Sequence, residues 1–114
     1  MRYNLHYSPD SISDLDEVWD YIAIDLDNVI AANRMVTLIT DSINKLESFA
    51  EMGSLLSSVI DFISDYRFLI CDSYLVFYRV ICQDIYIDRV IYGKRDYLRI
   101  LFGMDIHNNP YISN

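Results

Sequence analysis

The stretch YRFLICDSYLVFYRVICQDIYIDRVIYGKRDY, residues 66–97, is dense in aromatic and β-branched residues and is broken at short intervals by polar pairs. Residues 66–71, 74–82 and 85–92 each suit a pleated, half-buried surface. Asp72-Ser73 and Gln83-Asp84 stand between them as two-residue turn candidates. Three strands joined by tight turns make an antiparallel meander, which Gly93 ends. Past it, residues 96–102 read as a short helical segment or a docked tail.

Toward the N-terminus the periodicity changes. Residues 2–7 alternate, with Tyr3, Leu5 and Tyr7 on one side and Arg2, Asn4 and His6 on the other, the period of a strand. Ser8-Pro9-Asp10 then supplies an N-cap, a proline at the first helical position and an acid for the helix dipole. Ile12, Leu15, Trp19, Ile22 and Leu26 recur at helical spacing, while Asp14, Asp16, Glu17 and Asp20 fall off that stripe as a solvated face. Asp27-Asn28 breaks the chain and caps a second helix over 29–52, with Ala32, Met35, Ile39, Ile43, Leu46 and Ala50 as its apolar stripe and Gly53 as C-cap. Residues 54–65 read as either a short helix or a loop packed on the core. The class is α+β, in the order β-α-α-β-β-β. A helical hairpin packs on one face of a small, mostly antiparallel sheet, which the first strand must join to bury its apolar side. One domain spans 1–104, and 105–114 is a polar tail expected to fray.

The chain has 114 residues, 53% of them hydrophobic and 23% charged, which suffices for one core and excludes a disordered class. No apolar run approaches the roughly 20 residues of a membrane span. The first residues lack the apolar stretch of a signal peptide, so the expected compartment is the cytoplasm. Cys71 and Cys82 fit it as buried, reduced thiols. There is no CxxC spacing, Gly-rich phosphate loop or Ser/His/Asp arrangement, and the reading calls for no metal and no cofactor. The net charge of −8 argues against nucleic acid, which is bound by neutralising phosphates. Its distribution is uneven: residues 66–103 hold six of the nine Lys and Arg but only four of the seventeen acids. A chain so polarised can present one basic surface.

Several local patterns, taken in order, resemble the RelE/ParE superfamily of bacterial type II toxins. They are Tyr7-Ser8-Pro9 with Asp14-Leu15 and Tyr21-Ile22, then Ala32 with Ile43 and Leu46 in the second helix. Tyr66-Arg67-Phe68-Leu69 and Tyr74 to Val80 are similar to the family's central hairpin, and Arg89 to Tyr97, with its Gly93-Lys94-Arg95 turn, to its last strand. The resemblance covers roughly residues 2–103. It implies a growth inhibitor neutralised by a separate antitoxin that wraps it through a helix or an added strand. It also implies one of two modes of action: ribosome-dependent mRNA cleavage, as in RelE-like members, or binding to DNA gyrase, as in ParE-like members.

Carried over residue by residue, the resemblance makes Arg67, Tyr92 and Arg95 the catalytic candidates for RNA cleavage, and Arg79, Arg89, Lys94 and Tyr97 candidates for contacting RNA or another target. Tyr92 stands where many relatives carry a histidine; a tyrosine can stack or donate a proton but is a poor base near neutral pH. RelE-like nucleases carry several cations across the second and third strands, and here those positions are Phe68, Ile70 and Leu75. Arg67 has Asp61 or Asp65 as alternative partners, and Arg79 and Arg89 have Asp72, Asp84 or Asp88. The missing cations favour a toxin whose target is a gyrase-like protein. The Gly-Lys-Arg turn keeps an mRNA interferase as the alternative, and a non-toxic antitoxin-binding module is the third reading. Under all three a partner antitoxin is expected, basic or otherwise complementary to the acidic helices, with operator DNA reached only through it.

Overall fold

The computed structural model describes residues 2–59 and 64–103. Among them the elements are β1 (Asn4–Tyr7), α1 (Pro9–Asp20), α2 (Val29–Asn44), β2 (Ser54–Leu55), β3 (Arg67–Cys71), β4 (Tyr74–Ile81), β5 (Asp84–Tyr92) and α3 (Tyr97–Phe102). They build one five-stranded sheet in the order β1-β5-β4-β3-β2, with β1 parallel to β5 and every other pairing antiparallel. The helical hairpin of α1 and α2 covers one face, and the expected α+β layering holds. The tail from 105, and with it His107 and the expected fraying, lies outside the described residues, as do residues 60–63.

The local signals act as physical chemistry requires. The Ser8 side chain accepts from the Ser11 amide at 2.9 Å with Pro9 opening the helix, and Asn28 accepts from the Ala31 amide at 3.0 Å. Each cap satisfies a donor that the first helical turn leaves orphaned. Between the helices the chain does not simply break. Tyr21–Asp25 widens into a π-helical turn, and Asp27 takes a left-handed conformation (φ 52°) before α2 begins. The wide turn adds a residue to the helical repeat. It therefore helps detach the apolar phase of 21–30 from that of α1.

The stripe of α2 is as expected: Ala32, Ile39, Ile43, Leu46 and Ala50 are buried and Met35 is partly so. The helix is shorter than expected, ending at Asn44 and tightening into a 3-10 turn over Lys45–Glu47. The stripe of α1 needs correction. Its buried positions are Ser11, Asp14, Val18 and Ile22, while Ile12 and Leu26 are more than half exposed. Asp14, assigned above to a solvated face, is 6% exposed. Burial of the helix is decided by what it packs against, and one acid has a dedicated partner in β5.

The first hairpin turn is Asp72-Ser73, as read, with Asp72 at φ 56°. The second is Cys82-Gln83, one residue earlier than expected, with Cys82 at φ 55° and Ile81 opposite Asp84. Farther from the turn the hairpin carries a β-bulge: Phe77 faces Arg89 and Tyr78 faces Ile87, so Asp88 is the extra residue. An inserted residue reverses which side chains face the helices. Ile85 and Ile87 lie in the helix-facing core before it, and Val90 after it, while Ile91 goes to the opposite face. Cys82, being in the turn, is exposed, not buried as expected; Cys71 is buried, and both thiols are free.

The sheet has two covered faces. The main core holds Ile39, Ile43, Val76, Tyr78, Ile85 and Ile87, all fully buried. Each large aliphatic there contributes roughly 1.5–3 kcal/mol relative to exposure. On the other face Leu56, Phe77 and Ile91 form a second cluster, closed by Tyr97, Ile100, Leu101 and Phe102. The segment 97–102 is thus a docked helix. Asp96 caps it and Gly103, in the left-handed region at φ 68°, ends it.

Gly53 is not a helix cap. It sits against Tyr78, whose buried hydroxyl accepts from the Gly53 amide (3.0 Å) and donates to the Ala50 carbonyl (2.9 Å). That link fastens the chain after α2 to the centre of the sheet.

Candidate functional site

Of the seven residues singled out, two come together. Tyr92 at the end of β5 and Arg95 in the turn after it line a groove of about 370 Å³. Asp14, Glu17, Val18 and Tyr21 form its α1 side, and Tyr74 and Val90 lie on its sheet side. The Tyr74 and Tyr92 rings meet edge to face at 5.7 Å. Burial, then the nearby Tyr21 and Tyr92 hydroxyls, raise the Tyr74 pKa and keep it a neutral donor. The groove thus has apolar and aromatic walls, with an acid on one side and a base on the other. That suits apolar or aromatic side chains of a bound chain flanked by charges of both signs.

Arg67 is elsewhere. Its guanidinium donates to the carbonyls of Gly53 (2.9 Å) and Glu51 (3.3 Å), and it makes no ion pair with Asp65; Asp61 lies outside the described residues. In register Arg67 sits beside Tyr78 and Tyr92 beside Tyr74. Four residues of strand separate those positions by roughly 13 Å. The structure does not assemble the three catalytic candidates into one site.

The other candidates are occupied. Arg89 clamps Asp14 through two hydrogen bonds of 2.8 Å, and the same carboxylate accepts from the Val90 amide at 2.8 Å. The bond to Asp14 raises the Arg89 pKa further above its ordinary value. Arg79 pairs with Asp88 at 3.0 Å, its guanidinium 5.3 Å from the Tyr66 ring centroid. Tyr97 packs its ring on Phe77 at 5.4 Å and anchors α3. Lys94 is exposed in the turn beside Arg95. The uneven charge along the chain therefore does not become a basic face. Among the described residues, Lys94 and Arg95 are the bases of 66–103 whose side chains have no hydrogen-bond or ion-pair partner. The reason is the acids that tertiary contact brings to the rest, chiefly Asp14 and the bulged Asp88. Of the three apolar positions at which the resemblance led to cations being expected, Phe68 and Leu75 pack in the cluster beneath α3, and Ile70 is exposed.

Sequence reading missed the α1 side of the groove: Asp14, Glu17, Val18 and Tyr21. The spacing Ser11, Asp14, Val18, Ile22 carried the signal, since it repeats at three and four residues as well as the more apolar stripe beside it does.

Tyr66 makes one measurable consequence of this geometry. Burial, then the Asp88 carboxylate that its hydroxyl faces, push its pKa from 10.0 up to about 12. The phenol is held neutral in the folded chain, so its contribution to stability is complete below pH 10 and is lost as pH rises through about 12. Absorbance titration should show a late-ionising fraction of the tyrosines, to which Tyr7, Tyr74 and Tyr78 also contribute, and Tyr66→Phe should reduce its upper end, near pH 12, by one residue. Titration of all tyrosines near pH 10 would contradict the placement.

Comparison with known proteins agrees with the geometry. The family model described as "ParE toxin of type II toxin-antitoxin system, parDE" matches residues 5–97. Among solved structures, one titled "Chromosomal ParDE TA system from P. aeruginosa" superposes with a TM-score of 0.69 at 21% identity, covering 82% of this chain and 98% of that one. At that identity it shows the shared fold. No curated protein matches the chain.

Proposed function

Because the chain belongs to the ParE toxin family of type II toxin–antitoxin systems, we propose that it arrests growth by binding a protein target, DNA gyrase or a gyrase-like enzyme, and cleaves nothing itself. One observation carries this reading: the positions that would hold a cationic cluster on the sheet are the apolar Phe68, Ile70 and Leu75, the first and last packed under α3 and Ile70 exposed, and Arg79, Arg89 and Arg99 are tied to Asp88, Asp14 and Asp96. RNA cleavage requires free cations at the phosphate and a base at the 2′-hydroxyl. The groove between α1 and β5 offers Tyr21, Tyr74, Tyr92 and Arg95 for recognition, with no histidine and no second unpaired cation beside Arg95 except Lys94.

The same groove is where a cognate antitoxin would seat an apolar or aromatic side chain, with a basic group toward Glu17 and an acidic one toward Arg95. Operator DNA would be contacted through that antitoxin, and action on gyrase places the protein in the cytoplasm. No helix among the described residues is long and apolar enough to cross a membrane.

The test is induced expression from a tight promoter, with growth, transcript integrity and plasmid supercoiling followed together. Arrest with intact transcripts and loss of negative supercoiling is the expected result. New cuts at ribosome-bound codons would replace this reading with the interferase, and unhindered growth at confirmed expression would remove toxicity. Arg67 gives a second check. Its role here is to hold the loop at 51–53, so Arg67→Ala should cost about 1 kcal/mol of stability, the worth of a lost charged hydrogen bond at a partly exposed site, and leave growth arrest intact.

A further inference from the structure

The tip of the helical hairpin is an apolar surface that the core does not use. Ile24 is 67% exposed, Leu26 55%, Val29 52% and Ile30 71%. They follow one another through the π-helical turn and the first turn of α2, and Tyr21, half exposed, joins them to the α1 wall of the groove. A string of exposed aliphatics in a small domain marks an interaction surface. Its rim is acidic: Asp20, Asp25 and Asp27 are exposed and make no ion pair, and Arg34, one turn into α2, is the nearest base in sequence. Two such acidic tips would repel, which disfavours a second copy as the occupant. A basic surface with an apolar centre complements it.

We propose that this tip docks a basic, amphipathic segment of the toxin's protein target, and that the antitoxin neutralises by filling the adjoining groove up to Tyr21 and so blocking the approach. The assignment of the occupant as the target rests on the toxin reading above. The two surfaces share Tyr21, which makes occlusion of one by a ligand of the other a matter of contact, with no conformational change required. The π-helical turn is the local device: it lifts Ile24 and Leu26 out of the phase that buries Ile22 and Ala23.

The test uses the exposed double variant Ile24→Ser/Ile30→Ser and the charge variant Asp25→Asn/Asp27→Asn, each checked for unchanged Tm and cellular level. Expressed without antitoxin, the aliphatic variant should lose growth arrest and inhibit gyrase at least about tenfold more weakly, since buried aliphatic anchors dominate such contacts. The charge variant should weaken inhibition less, and mostly at low salt. Undiminished arrest by the aliphatic variant would overturn the proposal while leaving the toxin reading in place. Failure of the unaltered chain to arrest growth would defeat the toxin reading instead. Titration with a fluorescent Leu/Lys amphipathic helical peptide then decides the surface on its own. Binding lost in the aliphatic variant and absent with a Leu/Glu peptide supports the tip, and equal binding to both forms of the protein overturns it.

Discussion

Asp14→Ala should lower the stability of this domain by about 3–5 kcal/mol, the cost of stripping one partner from a buried ion pair. The Asp14 side chain is 7% exposed and that of Arg89 25%, so neither charge is fully screened by water. The carboxylate makes three hydrogen bonds, two to the Arg89 guanidinium and one to the Val90 amide, each 2.8 Å. Alanine would leave the arginine beside an apolar wall and a strand amide without an acceptor, each costly. A domain of this size holds only about 5–15 kcal/mol in total, so Tm should fall by at least roughly 12 °C. Asp14→Asn retains an acceptor for the Val90 amide and should lie between wild type and alanine. Thermal denaturation followed by circular dichroism measures all three; a loss under about 1 kcal/mol would mean the pair behaves as a surface salt bridge. The consequence reaches the groove, because Asp14 ties the wall of α1 to the strand that carries Val90 and Tyr92.

The second large effect is expected at Gly53. A Cβ there would stand 2.5 Å from the Tyr78 hydroxyl oxygen and 2.8 Å from the Phe68 carbonyl oxygen. The first neighbour belongs to a fully buried side chain and the second to the backbone of β3, so neither can step aside cheaply. Gly53→Ala should therefore cost about 2–4 kcal/mol, above the ordinary range for overpacking because the Tyr78 link to Gly53 and Ala50 is broken as well. Tyr78→Phe alone should cost about 1–3 kcal/mol by leaving the Gly53 amide and Ala50 carbonyl without partners. Placed together, the two should be less harmful than their sum, since phenylalanine removes the hydroxyl clash while the ring Cε1 at 2.7 Å and the Phe68 carbonyl remain. Urea denaturation of the four proteins closes the cycle. Strict additivity would show that the contact is relieved by movement of the loop rather than borne by the tyrosine.

Much of the chemistry of this domain is local and was legible in the amino-acid order. Ser8, Pro9 and Asn28 cap the helices they announce, because capping needs only neighbours within three or four residues. The stripe of α2, from Ala32 to Ala50, is buried as spaced. Asp72-Ser73 turns the first hairpin, and the aromatic and β-branched composition of 66–92 gives the meander. The order of these elements, with the resemblance it carries, was enough to identify the RelE/ParE superfamily, of which the ParE family model then selects one branch.

The site was less legible, because it depends on residues more than seventy positions apart. The bulge at Asp88 is visible only once β4 is beside β5: strict alternation from Ile85 and Ile87 would send Val90 outward, and the extra residue returns it to the helix side next to Arg89. The same pairing frees Asp88 to engage Arg79 and brings Arg89 to Asp14, converting two apparent binding cations into structural ones. Arg67 likewise reads as a cation and proves to be a clasp for the loop at Gly53. The sequence determined the main elements and their order, since propensity, caps and turns act between neighbours; the short β2, in a stretch read as helix or loop, is defined only by its pairing with β3. Only the tertiary structure decided which charges remain available, because a charge counts as free or spent according to what long-range register places within about 3 Å of it.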